Sequence, residues 1–304
     1  MPKTMRIAFI INANSRKARN EFATIRAQTQ CEHTSYFTSG IGSAAEIAAS
    51  CLLKNYSHLA VFGGDGTLNE VFNALMNSEK SADELPIMII HPCGTGNDFA
   101  RNFNLKDNPE DFIQRLKTGT IHYTDGGSIL FKNTNDRIET RYFMNVMDVG
   151  LGGLIAQRVN KYRRGIFAFL AYQRSILRTM PFYRKQHVIV KTPEAEIYAG
   201  PAMSIVLANG KWFGKGLGVA PRAEVLSGRL QCVVLARVSL LDYLLNLASM
   251  LRCRTIRHPH VHYYDVTSII IEGEHNPIEA DGEYIGSGTV KISVIPKALR
   301  LLVG

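Results

Sequence analysis

The chain has 304 residues, of which 46% are hydrophobic and 20% are charged, and this composition argues against a disordered protein. No apolar run approaches the roughly 18 residues of a membrane-spanning helix, and the run Ile7–Ile11 is too short for the core of a signal peptide. The five cysteines include no Cys-x-x-Cys pair. This spacing argues against a disulfide framework or a zinc site and favours a cytoplasmic protein.

The formal net charge of +9 suits three kinds of partner: nucleic acid, an anionic membrane surface or a polyphosphate substrate. The sequence contains neither zinc-finger spacing nor an aromatic strand motif of the RNA-binding type. Nucleic acid is therefore not an expected partner. The charge alone does not choose between the other two.

The first third of the sequence alternates short apolar runs with helical patterns. Strands are predicted at RIAFIIN, HTSYFT, HLAVFGG and PIMIIH. Helices are predicted at Arg16–Gln28, Ser43–Leu53, Leu68–Asn77, Asp98–Phe103 and Glu110–Lys117. Strands and helices that alternate at this spacing indicate βαβ units and a parallel sheet.

From about Thr124 the sequence changes to consecutive β-rich stretches, including RIETRYFMNVM and EIYAGPAMSIVLAN, which predict antiparallel sheets packed as a sandwich. Two helical insertions are predicted, at Leu154–Thr179 and Leu240–Arg252. The predicted fold class is α/β plus all-β. A Rossmann-like α/β domain covers residues 1–124 with the C-terminal segment 297–304, and a β-sandwich domain covers residues 125–296.

Two glycine-rich turns, Gly63–Thr67 and Gly94–Asp98, each follow a predicted strand and precede a predicted helix. At the carboxyl ends of parallel strands, free helix amides and glycine backbone can meet phosphate oxygens. The first turn fits neither the P-loop nor the G-x-G-x-x-G pattern, and it is also consistent with a plain strand-to-helix turn. If the third and fourth strands are neighbours, the two turns predict one phosphate groove. In this groove, Thr67 and Thr95 are further candidates to bind phosphate, and Asn69 and Glu70 are candidates to bind a ribose or a metal ion.

These turns, together with FMNVMDVGLGG (143–153), GKGLGVAPRAEVLSGRL (214–230) and ADGE (280–283), resemble the diacylglycerol kinase catalytic domain family, specifically its small bacterial lipid kinases. The first turn is shared with NAD kinases and phosphofructokinases, whereas GTGNDFAR (94–101) is more particular to lipid kinases. The resemblance implies an ATP-dependent lipid kinase that phosphorylates a lipid hydroxyl, such as that of diacylglycerol, with Mg²⁺. The alternatives are an NAD kinase and a nucleotide- or lipid-binding protein that has lost turnover.

In this family ATP lies between the α/β domain and the sandwich, and the resemblance implies which residues of this chain contact it. The implied catalytic residues are Glu283 as the base, Asp281 beside it, and Asp65. Asp281–Glu283 also fits a tight type I′ hairpin, which is compatible with a catalytic role. The implied ATP-binding residues are Asn12, Ser15, Arg16, Thr38, Gly63, Gly64, Asp65, Gly66, Thr67, Asn69, Glu70, Gly94, Thr95, Gly96, Asn97 and Asp98.

The chain departs from the family pattern at two places. The first strand ends in NANSR, where the family has N-P-x-S-G, so that Ala13 and Arg16 replace a proline and a glycine. Ser227 and Gln231 replace the two aspartates of the family's D-G-x-L-D pattern, the first of which belongs to a structural Mg²⁺ site. Because a serine hydroxyl is a poor Mg²⁺ ligand, no metal-binding residue is assigned and loss of turnover gains weight.

Residues 160–185 mix aromatic and aliphatic side chains with seven lysines and arginines, a composition typical of an interfacial helix. The alternative is a helix that packs its apolar face on the sandwich. Residues 240–257 pose the same choice, and core packing is favoured there. The expected partners are ATP, a lipid substrate and, through peripheral association, an anionic membrane. A homodimer, the identity of the lipid and a metal site at His258, His260 and His262 remain open.

Overall fold

The computed structural model describes residues 5–133, 137–159 and 168–304, and the chain divides into two compact units. Unit 1 consists of Met1–Asp125 and Lys297–Gly304. Unit 2 consists of Gly126–Pro296. The chain therefore passes from one unit to the other twice. Within the described ranges, none of the helices combines the length and the apolar character needed to cross a bilayer.

Unit 1 is a parallel sheet with helices in the connections. Its elements are β1 (Arg6–Ile11), α1 (Arg16–Gln28), β2 (Glu32–Phe37), α2 (Ser43–Leu52), β3 (His58–Gly63), α3 (Asp65–Met76), β4 (Ile87–Pro92), α4 (Asp98–Arg101) and α5 (Pro109–Thr118). The strand order is β2-β1-β3-β4, and every pair is parallel. Leu301, near the end of the chain, pairs in parallel with Met88 at the edge of β4.

Two helices of unit 1 begin at residues whose side chains cap them. Ser15 caps α1 by accepting from the backbone amide of Ala18, and Asn108 caps α5, which has proline at its first position. The core between these helices and the sheet includes the buried rings of Phe9, Phe62 and Phe112.

Over the described residues, unit 2 contains the two antiparallel sheets of a sandwich, a further two-stranded sheet and three α-helices. Its elements are β5 (Thr120–Lys132), which begins in unit 1, β6 (Ile138–Phe143), β7 (Val146–Gly150), α6 (Leu151–Val159), α7 (Ala168–Thr179), β8 (Gln186–Lys191), β9 (Glu196–Ala202), β10 (Ser204–Ala208), β11 (Trp212–Phe213), β12 (Leu217–Gly218), β13 (Leu230–Leu235), α8 (Leu240–Leu251), β14 (Val261–Val266), β15 (Ser268–Glu272), β16 (Pro277–Ala280), β17 (Glu283–Ser287) and β18 (Val290–Val303), which ends in unit 1.

The sandwich core of unit 2 lies between these two sheets. One sheet has the order β14-β13-β10-β7-β16-β17, and the other includes β9-β8-β15 with the first part of β18. Met147 and Ile205 from the first sheet and Val190 and Ile269 from the second belong to one buried cluster. A second cluster packs α6, α7 and α8 on the outer face of the six-stranded sheet. The predicted α/β and β-sandwich classes are confirmed.

The structure corrects several predicted element boundaries. RIETRYFMNVM and EIYAGPAMSIVLAN each form two strands, the first interrupted at residues 144–145 and the second at Met203. The backbone amides of residues 144 and 145 donate to the Asp281 carboxylate, and that of Met203 donates to the carbonyls of Leu235 and Ala236. The helix predicted from Leu68 begins at Asp65. Within the insertion predicted at 154–179, the described helices are α6 and α7, and residues 160–167 lie outside the described residues.

Candidate functional site

The ends of three neighbouring parallel strands bring the predicted turn residues of unit 1 together. β3 lies between β1 and β4, and Gly63 pairs with Pro92. The backbone amide of Asn12 donates to the carbonyl of Phe62 at 2.9 Å, and that of Cys93 donates to the carbonyl of Gly63 at 2.8 Å. The segments after β1, β3 and β4 therefore lie side by side at the carboxyl edge of the sheet, where parallel α/β sheets bind ligands.

Three of the glycines are required by packing inside the protein. A Cβ on Gly64 would lie 2.9 Å from the Cα of Gly94, and a Cβ on Gly94 would lie 2.5 Å from the Cα of Gly64. A Cβ on Gly63 would lie 2.6 Å from the Cβ of Thr67. The space beside Gly66 is open to at least 4 Å. The two turns thus touch backbone to backbone, and at Gly66 a ligand can approach the chain.

Side chains on both sides hold the second turn. Asn97 has a left-handed φ of +52°; its side-chain oxygen accepts from the amide of Gly94 at 2.9 Å, and its side-chain nitrogen donates to the Gly94 carbonyl at 3.0 Å. The Asp65 carboxylate accepts from the amides of Asp98 and Phe99, both at 3.2 Å. Burial raises the pKa of Asp65, and the bonds from these amides oppose that rise. The acid of the first turn therefore fixes the second.

Glu70 and Asn69 are engaged inside unit 1. The Glu70 carboxylate accepts from the amides of Gly42 and Ala44, both at 3.0 Å, at the start of α2, where the helix dipole favours negative charge. Asn69 is 1% exposed, and its side-chain oxygen accepts from Asn73 at 3.2 Å. Ribose or metal contacts of Asn69 and Glu70 stay a prediction.

The polar residues after β1 and β2 connect these segments. The side-chain nitrogen of Asn12 donates to the hydroxyl of Thr67 at 3.1 Å. The Ser15 hydroxyl donates to the carbonyl of Cys93 at 3.3 Å, and the hydroxyl of the buried Thr38 accepts from the backbone amide of the residue after Asn12 at 3.2 Å. These bonds give the end of β1 a defined position against both turns.

Three other predicted residues have outer positions. Arg16, the first residue of α1, is exposed, and so is Thr95 in the second turn. Gly96 is half-buried, and its carbonyl accepts from Nε of Arg101 at 3.3 Å. Together with Gly66, these are positions at which an incoming anion can meet unit 1.

In unit 2, the β16–β17 hairpin carries the predicted acidic residues. Ala280 pairs with Glu283 across a two-residue turn, in which Asp281 and Gly282 have φ values of +47° and +85°. Two positive φ values are characteristic of a type I′ turn. The Asp281 carboxylate accepts from three successive backbone amides of residues 144–146, at 2.8, 3.0 and 3.1 Å. Asp281 therefore anchors the hairpin to the start of β7.

Glu283 is the first residue of β17 and forms an ion pair with Arg141 of β6. Nη2 of Arg141 donates to Oε2 of Glu283 at 2.8 Å, and the side chain of Glu283 is 20% exposed. A partly exposed carboxylate that is held in place is a candidate proton acceptor. Arg141 was not among the predicted residues, because the pairing joins residues 142 positions apart and no local pattern reports it.

A second pair of acids, which was not predicted, lies on β7 and β16, where Asp148 and Glu279 are directly opposite each other. Both are almost fully buried. Asp148 accepts from the amide of Gly152 at 3.0 Å and from the Ser204 hydroxyl at 3.3 Å, and Glu279 accepts from the amide of Gly282 at 2.7 Å. Burial raises the pKa of Asp148 to about 7, and burial and the nearby Asp148 raise that of Glu279 well above its ordinary value. An acid inside the apolar run FMNVMDVGLGG could have indicated Asp148.

Unit 2 also contains an apolar cavity of about 900 Å³, a volume that includes its open mouth. Its wall is formed largely by aliphatic and aromatic side chains, among them Tyr172 and Ile176 of α7 and Tyr243 and Met250 of α8. Asp148 is one of the few polar residues that line it. A cavity with so apolar a wall suits a hydrocarbon ligand.

Among the described residues, Glu21, His91 and Cys93 form the one group that could offer three ligands to a metal ion. The group is already bonded internally: Nε2 of His91 lies 2.5 Å from the Glu21 carboxylate, and Nζ of Lys17 lies 3.8 Å from the same carboxylate. Of the three candidate histidines, His258 forms an ion pair with Asp242 at 3.4 Å, and none of the three belongs to such a group.

The comparisons with known structures place the fold in the class of diacylglycerol and NADH kinases. A diacylglycerol kinase from Bacillus anthracis str. Sterne superposes with a TM-score of 0.73 at 16% identity, covering 100% of this chain and 98% of the other. Yeast NADH kinase, solved with NADH, superposes with a TM-score of 0.60 at 10% identity and covers 100% and 84%. At these identities the likeness shows the fold alone.

Sequence comparison gives the family. Residues 6–129 match the diacylglycerol kinase catalytic domain, and residues 145–303 match the YegS C-terminal NAD kinase beta sandwich-like domain. A diacylglycerol kinase of Staphylococcus saprophyticus is 27% identical over 258 residues, which cover 84% of this chain and 79% of that protein. The YegS C-terminal NAD kinase beta sandwich-like model spans more than half of the chain, so the chain belongs to that family. The predicted resemblance to the diacylglycerol kinase catalytic domain is confirmed over residues 6–129.

Proposed function

We propose that the protein is a lipid kinase that transfers the γ-phosphoryl group of ATP to the hydroxyl of a lipid such as diacylglycerol. Family membership and the names of its relatives support the kinase class. The observation that carries the proposal is the backbone contact between Gly64 and Gly94, which joins the two turns at one sheet edge. The helices α1 and α3 begin at this edge, and helix N-termini favour phosphate.

In this proposal unit 1 binds ATP. Gly66, Thr95 and Gly96 supply accessible backbone and hydroxyl groups, and Arg16 supplies positive charge to the phosphates. Asn12, Ser15, Thr38, Thr67 and Asn97 hold the segments in the geometry that makes those groups available. Asp65 and Glu70 act as positioning residues, since each carboxylate accepts from backbone amides at the start of another helix.

Glu283 is the proposed base for the acceptor. Its carboxylate takes the proton of the lipid hydroxyl as that oxygen attacks the γ-phosphorus, and the bond between the γ-phosphorus and the bridging oxygen breaks to release ADP. Arg141 orients the carboxylate through their ion pair. Asp281 acts indirectly, because it anchors the hairpin that carries Glu283.

The apolar cavity of unit 2 supports a lipid acceptor. Its wall offers contacts for a hydrocarbon chain, and the polar residues along it are few. We propose that it takes an acyl chain of the substrate.

The family's structural Mg²⁺ position does not fit the residues of this chain. The Ser227 hydroxyl lies 3.0 Å from the carbonyl oxygens of both Glu224 and Arg229, which share its one proton. The side-chain oxygen of Gln231 accepts from the amide of Arg222 at 3.1 Å. Neither offers a carboxylate, the group that Mg²⁺ prefers. Mg²⁺ is therefore proposed only as the ion that accompanies ATP.

The test is transfer of radiolabelled γ-phosphoryl from Mg²⁺-ATP into mixed-lipid vesicles. We expect one labelled lipid, and we expect Glu283→Gln to lower the rate about 100-fold or more, the range found for a lost general base. Glu274→Gln, at an exposed glutamate of the same unit, is the control and should keep the rate. Label that survives Glu283→Gln would contradict the assignment of the base.

The same assay separates the alternatives. The fold likeness to yeast NADH kinase is the observation behind an NAD kinase, so NAD is included as an acceptor without lipid. Label in NAD and none in lipid would replace the proposal. ATP binding without label in any acceptor would indicate a binding protein that has lost turnover.

A further inference from the structure

Helix α8 carries leucines on two opposite faces. Leu240, Tyr243, Leu247 and Met250 pack into the cluster beneath the helix. On the other face, four leucines that we name the leucine stripe are solvent-exposed. They are Leu241 (63%), Leu244 (48%), Leu245 (71%) and Leu251 (47%). The other three follow Leu241 by three, four and ten residues, and this spacing places all four along one side of the helix. The expectation of core packing for residues 240–257 is therefore right for one face and wrong for the other.

The neighbouring helix α7 is exposed in the same way. Leu170 near its start and Leu177 near its end are 61% and 40% exposed, and Phe182, just beyond its end, is 85% exposed. The hydroxyl of Tyr243 on α8 donates to the side-chain oxygen of Gln173 on α7, which ties the two helices together. Both pack on the outer face of the same sheet. Exposed apolar groups in such number mark an interaction surface.

The charge around this surface is strongly positive. Residues 168–185 and 240–257 contain seven cations and one acid. The acid, Asp242, completes the capping box of α8 and forms an ion pair with His258. The cations are Arg174, Arg178, Arg184, Lys185, Arg252, Arg254 and Arg257, all exposed.

We propose that the outer faces of α7 and α8 dock on an anionic phospholipid bilayer, with the leucine stripe in the interfacial region and the surrounding cations on lipid phosphates. Leucines beside arginines and lysines are the composition of helices that lie in a membrane interface. A second copy of the chain would place like charges against each other, whereas an anionic bilayer complements them. The inner faces of the same helices line the apolar cavity that is proposed to take the acyl chain of the substrate. The docking proposal therefore rests on the proposed lipid kinase function.

The experiment measures binding to vesicles of phosphatidylglycerol and phosphatidylcholine by flotation. For the wild type we expect binding that falls at high salt and is absent from pure phosphatidylcholine. Leu241→Ser/Leu245→Ser should weaken binding at least 10-fold. The control Leu53→Ser/Ile138→Ser removes apolar residues of similar exposure (85% and 70%) elsewhere and should bind as the wild type does.

The charge contribution is tested separately. Arg252→Gln/Arg254→Gln/Arg257→Gln should weaken binding about 100-fold, since each cation near an anionic surface contributes roughly a factor of five. Melting temperatures of all variants, compared with the wild type, identify any that fail to fold. If the folded leucine and arginine variants both bind as the wild type does, the proposal is wrong. A wild-type dimer that the leucine variant converts to monomer, with vesicle binding unchanged, would assign the stripe to a second copy instead.

The failure of the docking proposal and that of the kinase proposal give different results. Phosphorylation of a short-chain diacylglycerol in detergent solution does not require a bilayer. A wild type that labels this substrate but floats with no vesicle overturns the docking alone. A wild type that floats with anionic vesicles but labels no lipid in either format supports the docking and overturns the kinase. The leucine variant should keep the detergent activity and lose activity on vesicles.

Discussion

Asp148 and Glu279 place two carboxyl groups opposite each other in a buried part of unit 2, and this has a consequence for stability. Burial raises the pKa of Asp148 to about 7, so the folded state holds a proton that the unfolded state releases near pH 4. Asp148 therefore stabilises the folded protein most at low pH, and this contribution to the free energy of unfolding is lost as the pH rises through 7. The free-energy difference for Asp148 is at most about 4 kcal/mol.

We expect the melting temperature of the wild type to fall from pH 5 to pH 8, and that of Asp148→Asn to fall less. The asparagine keeps an oxygen for the amide of Gly152 and carries no charge. Thermal unfolding followed by circular dichroism at both pH values measures this. An equal fall in the two proteins would show that Asp148 is ionised in the folded state.

Gly94 leads to a second prediction at the residue scale. A Cβ there meets the backbone of Gly64 at 2.5 Å, and backbone cannot move aside as a flexible side chain can. We expect Gly94→Ala to weaken ATP binding at least 10-fold, because the turns must separate. Gly66→Ala meets no atom within 4 Å and should keep the melting temperature of the wild type. Isothermal titration with ATP and a melting curve give both numbers, and unchanged ATP affinity in Gly94→Ala would contradict the proposed groove.

At the scale of elements, Glu70 connects α3 to the start of α2. Its carboxylate accepts from two backbone amides there, whereas Glu46, in the first turn of α2, is exposed. We expect Glu70→Ala to lower the free energy of unfolding by about 1–2 kcal/mol and Glu46→Ala by less than about 1 kcal/mol. Urea denaturation compares the two variants. Equal losses would mean that only the dipole of α2, and not the cap, matters.

The elements also show what the sequence could predict. The helices of unit 1 follow from apolar periodicity and, at α1 and α5, from capping side chains, all of which are local signals. The predicted Arg16–Gln28 is the observed α1. The break between β6 and β7 depends on Asp281, 135 to 137 residues away, whose carboxylate takes the amides of residues 144–146. A strand pattern cannot report a partner so distant.

The candidate site divides in the same way. The meeting of the two glycine turns follows from strand order in a parallel sheet, because consecutive βαβ units place their turns at one edge. The sequence does not show which glycines are required by packing and which face open space, because this depends on the contact between Gly64 and Gly94. The ion pair of Arg141 with Glu283 and the opposition of Asp148 to Glu279 likewise depend on strand register.

At the scale of the whole molecule, unit 1 depends on the last eight residues of the chain, Lys297–Gly304. Leu301 pairs with Met88, and Arg300 donates to the carbonyls of Ala82 and Leu85 at 2.9 and 2.7 Å. We expect a chain that ends at Pro296 to lose the cooperative unfolding of unit 1. We expect the milder Arg300→Ala to lower the melting temperature by a few degrees. Calorimetry of the two proteins tests this, and a truncated chain that melts as the wild type does would contradict it.

This arrangement also determines the order in which the protein can mature on the ribosome. Unit 2 is continuous in sequence, so all of its residues have been synthesised before the final strand segment is made. Unit 1 begins first yet must wait for residues 297–304, which are synthesised after all of unit 2. Until then the edge of β4 that pairs with Leu301 has unpaired backbone groups and can capture another strand. Synthesis of residues 297–304, and not of the first third of the chain, therefore completes the parallel sheet.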